Sequence, residues 1–498
     1  MGTNFSVGSD SFAPIDYTVS EEATPIAAGD SNGGIASFSV RLREPSPHAP
    51  HPPGIAKIVR YGPTILHRKP AALSGSRRGS LSGTVATASK TGNGEIVLEC
   101  VSRLALLNVY NVQAKPFVGT LGGLFAYYFG LAKVTSGFTV DSSISGRSVV
   151  APGWNGELWY YLKLLCAAEE CEIALVGSTI TVRRIRTNHF VTGRTISSGE
   201  SLSIPTLARS VEVYSYNSYA ITNRLVYPVG GWKSETEVLN VNAGETAEYI
   251  LDLSASVSSI VAPTMMTSVA ASYSSGSAYT IVANDGLPVA PAMWSAKGGR
   301  LSVKINEDTT SLTVTLVGAT GIPTRNAEEA TNFSVALGSD ATGNRYSTLR
   351  IVGTGVAYNK EKVTIATGVQ ASETGTEVGV TIDNPFLRNT EALYRAGIRA
   401  AIQFSGIQPQ LQAELVATHG GMAGEFGRVA GGRVWDEETA RYYRVVSAQI
   451  TQGSISGTLQ DDTIIGDRED HRNWTVGQYE DAFGGLTLGE VELIGLRT

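Results

Sequence analysis

The chain has 498 residues, 55 of them glycine, and a formal net charge of −6. With 42% hydrophobic and 17% charged residues, it is neither a disordered chain, which needs low hydrophobicity and high charge, nor a long coiled coil, which needs helix-forming, heavily charged heptads. The acidic balance argues against a basic nucleic-acid stripe, and a Gly-rich, weakly charged composition points to many short strands joined by tight turns.

Residues 1–108 read as an antiparallel β-barrel or sandwich. Candidate strands lie at 35–42, 55–61, 81–88 and 95–101, with Asn93-Gly94 as a hairpin turn. A run from Pro45 to Pro53 interleaved with His48 and His51 predicts an exposed loop over 44–54, because proline donates nothing to a sheet ladder. Residues 109–200 change to a small α+β unit. Thr120 caps a helix with Leu121, Leu124, Phe125 and Tyr128 on one face, ending near Gly130. Asn155 is the expected N-cap of a second helix, with Glu157 in its first turn and Leu158, Tyr161, Leu162 and Leu165 inward. A hairpin follows over 172–176 and 179–185, turning at Gly177-Ser178.

Residues 201–236 return to strands. Val211, Val213, Ser215 and Asn217 alternate with Glu212, Tyr214, Tyr216 and Ser218, and Tyr219 is read as extending the tyrosine face. That face fits either a binding stripe or a surface packed on a neighbouring domain. Residues 237–345 read as an inserted β-sandwich, with turns at Asn284-Asp285-Gly286 and Gly298-Gly299. Leu301, Val303 and Ile305 alternate in it, as do Leu312, Val314 and Leu316. In 346–498, a strand is expected over 350–356 and a break at Asn384-Pro385. A helix follows from Thr390 to about Gln403, with Leu393, Gly397 and Ala400 inward. Later strands are expected at 410–418, 442–450 and 454–460. The fold class expected is therefore mainly β and multidomain, with a small α+β part.

Little in the sequence carries chemistry. P-loop, zincin and EF-hand patterns are missing, and Gly79–Gly83 and Gly453–Gly457 put an aliphatic residue where the esterase elbow needs serine. Cys100, Cys166 and Cys171 read as small buried apolar residues, and no second close pair completes a zinc site. Arg77-Arg78 and Arg183 to Arg186 read as solvated charges. Asp461-Asp462 and Glu437-Glu438 read as polar turns, and the glycine-rich loop 418–424 as a strand connection. No apolar run reaches the roughly 18 residues of a membrane span, and the N-terminus has no secretory pattern. The expectation is no catalytic, cofactor-binding or metal-binding residue and no cofactor.

Several patterned segments carry a resemblance. Residues 95–108, the helix start Gly119-Thr120-Leu121, and Pro152-Gly153-Trp154-Asn155-Gly156-Glu157-Leu158-Trp159 with its hairpin are among them. So are Tyr346 to Gly353, Tyr443 to Ile450, and Ser456-Gly457-Thr458-Leu459. Together they resemble the tail hub (minor tail) proteins of long-tailed phages of the mycobacteriophage type, related to contractile-phage baseplate hubs and the type VI spike base. The resemblance implies two tube-like antiparallel β-barrel hub domains, 1–108 and 346–498. The α+β unit 109–200, return strands 201–236 and insert 237–345 would lie around them. It further implies a homotrimer at the distal tip of the virion tail. That trimer would join the sixfold tube and distal tail protein ring to threefold tip structures, contacting tape measure protein and other minor tail proteins. DNA would pass without specific binding, which an acidic, weakly charged conduit suits. A chain ending soon after the last hub segment implies no lytic extension. Two other readings remain: a receptor- or glycan-binding tail protein, with Tyr214, Tyr216, Tyr219, Trp294 and Trp435 as stacking candidates, and a tail-associated cell-wall hydrolase.

Overall fold

The computed structural model describes residues 3–7, 10–22, 36–43, 69–75, 79–90, 95–184, 190–203, 208–229, 238–269, 276–339, 345–367, 379–388, 390–405, 408–415, 429–436, 441–452 and 454–461. The expected loop 44–54 with its histidines, the strand 55–61, Arg77-Arg78, Asn93-Gly94, Glu437-Glu438 and the loop 418–424 lie outside the described residues.

The chain is mainly β with few helices. Its largest element is a twelve-stranded sheet to which both ends of the chain contribute. On the N-terminal side, Ser37–Arg43 shows why these segments are strands: Phe38, Val40 and Leu42 point to the core while the residues between them stay more open. This strand pairs antiparallel with Asp16–Glu22 on one side and Glu95–Ser102 on the other. Asp16–Glu22 in turn pairs with Arg441–Thr451, placing Thr18 opposite Thr451. The sheet continues through Arg433–Asp436, Phe190–Ser203, Gln408–Leu415 and Ile455–Asp461. Ile455–Asp461 also pairs back onto Arg441–Thr451. The expectation of two tube-like β-barrel domains over 1–108 and 346–498 is met in part: among the described residues segments of both ends form one continuous sheet, with Asp10–Phe12 as its end strand and its last strand returning onto Arg441–Thr451. Period-two alternation marks each strand, but it carries no information on which strands pair, and closure depends on that.

Buried polar groups lock the two ends together. Glu21 Oε2 accepts the backbone N–H groups of Val429 and Ala430, at 3.1 and 3.2 Å. Arg444 Nη1 donates to the Gly431 carbonyl at 3.0 Å. Both side chains are buried, and burying such groups is tolerated only because they are bonded.

The α+β unit packs into the same core. Helix α1 (Leu121–Leu131) starts where expected, with Thr120 Oγ1 accepting the Gly123 N–H at 3.2 Å. It buries Leu121, Leu124, Phe125, Tyr128 and Phe129. A short α2 (Ser142–Ser145) is capped by Asp141, whose carboxylate accepts the Ser143 N–H at 2.8 Å. That bond holds the Asp141 carboxyl below its ordinary range. Helix α3 (Leu158–Glu169) begins after Glu157, not after Asn155. Asn155 instead sits on the strand Trp154–Gly156, opposite Gln113, because the ladder to Val112–Ala114 claims its backbone first. The hairpin Cys171–Val176 and Thr179–Arg184 follows, with Gly177 at φ +63°. Arg183 is ion-paired to Glu172 within it.

The strand Ser210–Tyr227 runs 18 residues and pairs with the 16-residue Ile351–Ala366, far longer than the expected 350–356. Ser256–Ile260 and Gly379–Asp383 complete this four-stranded sheet. One of its faces, with Val211, Val213 and Ile365, packs under α5 (Thr390–Ser405) through Leu393, Ile398 and Ala400. Gly397 lets α5 approach: a Cβ there would lie 2.6 Å from Ile365 Cδ1. Between residues 238 and 339, two three-stranded antiparallel sheets share a core around Leu312, Val314, Leu316 and Phe333, which is distinct from that of the terminal sheet and takes in Ile221, Val226 and Ile351 of the long strands. A one-turn helix, α4 (Pro291–Ala296), closes over it with Trp294.

Candidate functional site

The tyrosine strand and the α+β unit meet in a cleft of about 380 Å³. Its geometry begins with strand register. Tyr216 pairs with Lys360 and Ser218 with Tyr358, so Tyr214, Tyr216 and Tyr358 share one face, opposite the Val211/Val213 face that packs under α5. The two expectations for this stripe are thereby separated: the valine face is the packed one, and Tyr216 and Tyr358 line the cleft. Tyr219 pairs with Ala357 with no bulge before it, so period two sends it to the side opposite Tyr216. This corrects the expectation that it extends the tyrosine face.

Three segments supply the cleft's other walls. Trp154 and Tyr161 stack with centroids 3.9 Å apart and planes within 12°, and Tyr160 stands edge-on to Tyr161. Trp154 is itself fixed from behind, its indole N–H donating to Tyr128 Oη at 3.0 Å. Gly153 admits no side chain: a Cβ would lie 2.3 Å from Thr309 Oγ1 and 2.8 Å from the Ala114 carbonyl. Its N–H donates to Ser256 Oγ at 2.9 Å. Asp383 enters at the end of Gly379–Asp383. Asn384 then leaves the sheet and donates to the Leu164 carbonyl, while Arg388 bonds Glu169 and the Ser148 carbonyl. These contacts clamp the C-terminal segment onto α3.

The polar centre of the cleft is Asp383. It accepts Tyr216 Oη at 2.6 Å and Lys360 Nζ at 2.9 Å. Lys360 Nζ also lies 4.4 and 5.0 Å from the Tyr214 and Tyr216 ring centroids, a cation–π arrangement. Burial pushes the Tyr216 phenol up to about 12, and its bond to Asp383 adds to this. Burial raises Tyr161 as well, helped by Tyr160 and Asp383. Partial burial lowers Lys360, but its bonds to Tyr216 and Asp383 outweigh this and the net shift is upward. At neutral pH Tyr216 and Tyr161 are therefore neutral phenols, and Lys360 stays charged and paired with Asp383 beside them.

The remaining stacking candidates lie elsewhere. Trp294 is 1% exposed and packs on Phe333 in the separate core, which corrects its reading as a surface ring. Trp435 lies on Arg433–Asp436, opposite Tyr442. The sequence reading missed Trp154, Tyr160, Tyr358 and Asp383. Only the Pro152-Gly153-Trp154 step signalled any of them, since a glycine beside an aromatic marks close backbone approach.

The cysteines are buried and free. Burial pushes the Cys100 thiol up to about 12, and burial followed by the neighbouring Cys171 raises Cys166, so neither is poised as a thiolate. Among the described residues no group of three or more His, Cys, Asp or Glu side chains is placed to hold a metal. Among the same residues no helix is long and apolar enough to cross a membrane.

No protein-family model matches the sequence, and no curated protein sequence matches it. Among solved structures, the chain is similar to the 43 kDa tail protein of prophage MuSo2 from Shewanella oneidensis. The identity is 8% and the TM-score 0.42, covering 93% of this chain and 98% of that one. It is similar to prophage tail protein gp18 from Listeria monocytogenes at 6% identity and TM-score 0.40, covering 92% and 94%. It is also similar to the Escherichia coli type VI secretion component c3393, described as resembling the T4 tail proteins gp27 and gp5. There the identity is 12% and the TM-score 0.25, covering 69% and 78%.

Proposed function

We propose that the chain is a structural, non-enzymatic component of a phage tail tip. It would act as a hub that joins the tail tube and distal tail protein ring to threefold tip structures, as a homotrimer around a channel for tape measure protein and DNA. The observation that carries this reading is the joining of Asp16–Glu22 to Arg441–Thr451 in one sheet. The segments that resemble the first and last hub elements supply the strands Glu95–Ser102, Arg441–Thr451 and Ile455–Asp461 of that same sheet. A hub of this type needs its two ends to build one platform while other domains project from it, and here the stretch 238–339, with Ile221, Val226 and Ile351 of the long strands, has a core distinct from that of the terminal sheet. The formal charge of −6 suits a channel that must release DNA instead of holding it through counterion release.

The two tube-like barrels belong to this proposal as the form the platform takes when three copies complete it. Among the described residues the Asp10–Phe12 edge pairs on one side only, and an unpaired sheet edge seeks a partner strand. Sedimentation equilibrium of the full chain tests the reading. A mass three times that of the chain, with further assembly onto a distal tail protein ring, is expected. A monomer at high concentration with no affinity for such a ring contradicts it.

A further inference from the structure

We propose that the cleft between α3 and the tyrosine strand is a binding site for a neutral saccharide ring, an activity separate from the structural role. Its volume, about 380 Å³, falls at the lower end of the roughly 300–1,000 Å³ of small-molecule sites. Its walls are aromatic on two sides. Tyr160 is 43% exposed and Tyr358 36%, although tyrosine at a packed interface is ordinarily covered. Tyr216 and the stacked Trp154–Tyr161 pair stand between them.

The polar groups select the ligand class. Asp383 is the cleft's carboxylate and is paired with Lys360, and among the described residues that line the cleft none is a cation. An anionic ligand such as a phosphate or a nucleotide would therefore find no free positive charge. A fatty chain would lay hydrocarbon against the Asp383 ion pair and the Thr310 hydroxyl, which is costly. A sugar answers both halves: its C–H faces lie on tyrosine rings, while its hydroxyls donate to the carboxylate and exchange bonds with the Thr310 hydroxyl. The site is also preformed. Register fixes Tyr216 and Tyr358, the Trp154 indole is held by Tyr128 Oη, and Asn384 ties the Asp383 segment to α3, so little ordering cost accompanies binding.

Saturation-transfer NMR on the full chain tests this, with glucose, galactose, arabinose and N-acetylglucosamine as probes and adenosine monophosphate as the charged comparison. At least one of the four sugars should show transfer, with a Kd on the order of 1 mM for a single ring. Tyr160→Ala and Tyr358→Ala should each weaken it about tenfold. Tyr219→Ala, on the opposite face of the sheet from Tyr216 and Tyr358, should leave it unchanged, with thermal unfolding confirming that each variant is folded. No transfer from any of the four sugars, transfer from the nucleotide alone, or equal loss with Tyr219→Ala overturns the proposal. Nitration by tetranitromethane distinguishes an occupied cleft: protection of Tyr160 and Tyr358 on self-assembly would make it a contact between copies and also overturn it.

Discussion

The terminal segments and the stretch between residues 238 and 339 bury their strands in different ways. In the stretch, one hairpin is local, Arg300–Ile305 pairing with Ser311–Val317 and bringing Leu301 opposite Leu316 and Ile305 opposite Leu312, while Asn240–Asn242 and Thr246–Asp252 reach partners later in the same stretch. In the terminal sheet, most hairpins are local too, but the junction of its two halves joins residues separated by most of the chain: Asp16–Glu22 pairs with Arg441–Thr451 and Glu21 bonds Val429 and Ala430. The stretch completes its core with Ile221, Val226, Tyr227, Leu349, Ile351 and Ala357 from the segments that flank it, whereas a sheet joined through the two ends of the chain stands or falls as a whole, which suits a platform from which other parts project.

Four substitutions probe this contrast. Leu316→Ala, in a fully buried position, should cost about 2–5 kcal/mol. Hydrogen exchange should accelerate within residues 238–339 and leave Asp16–Glu22 protected; acceleration across the terminal sheet would merge the two regions. Glu21→Ala should cost about 2–3 kcal/mol, because two buried N–H groups lose their acceptor. Exchange should then quicken at both Asp16–Glu22 and Arg441–Thr451 together, and quickening at only one of them would deny that the ends are coupled.

Tyr128→Phe should cost about 1–3 kcal/mol, since the buried Trp154 indole N–H loses its partner. Tyr128 also sets a pH dependence. Burial, the largest cause, holds its phenol above the ordinary value of 10.0, so the folded chain keeps this proton more tightly than the unfolded one. The stability involved is fully present below pH 10.0 and is lost as pH rises beyond it. Denaturant unfolding at alkaline pH should show this loss in the native chain and a smaller one in Tyr128→Phe. The smallest effect belongs to Ile250→Ser, on the 73%-exposed outer face of Thr246–Asp252, which should stay within about 0.5 kcal/mol. A larger change would mean that another surface covers this face.

The same contrast explains what was legible in the sequence. The Thr120 cap, the hairpin at Gly177-Ser178, the alternation of Leu301, Val303 and Ile305, and the inward Leu393, Gly397 and Ala400 are set by residues a few positions apart. All of these could be read directly. The pairing of Thr18 with Thr451 could not, because alternation shows that a segment is a strand but does not show its partner. The cleft was half legible. Tyr214 and Tyr216 stand out on one strand, but Tyr358 and Asp383 join them only through register with strands more than 130 residues away. Trp294 looked like a surface ring because a one-turn helix gives too short a pattern to reveal its buried side. Asn155 had the chemistry of a cap, and a three-residue ladder to Val112–Ala114 overrode it.

The central claim, a hub at the tail tip built from three copies, is tested most directly by cryo-electron microscopy of the tailed particle encoded with this chain. The account predicts three copies around the tail axis at the distal tip, with the terminal sheets of neighbouring copies forming the channel wall. Absence of the chain from the particle, or its presence in six copies along the tube with no threefold arrangement at the tip, would contradict it.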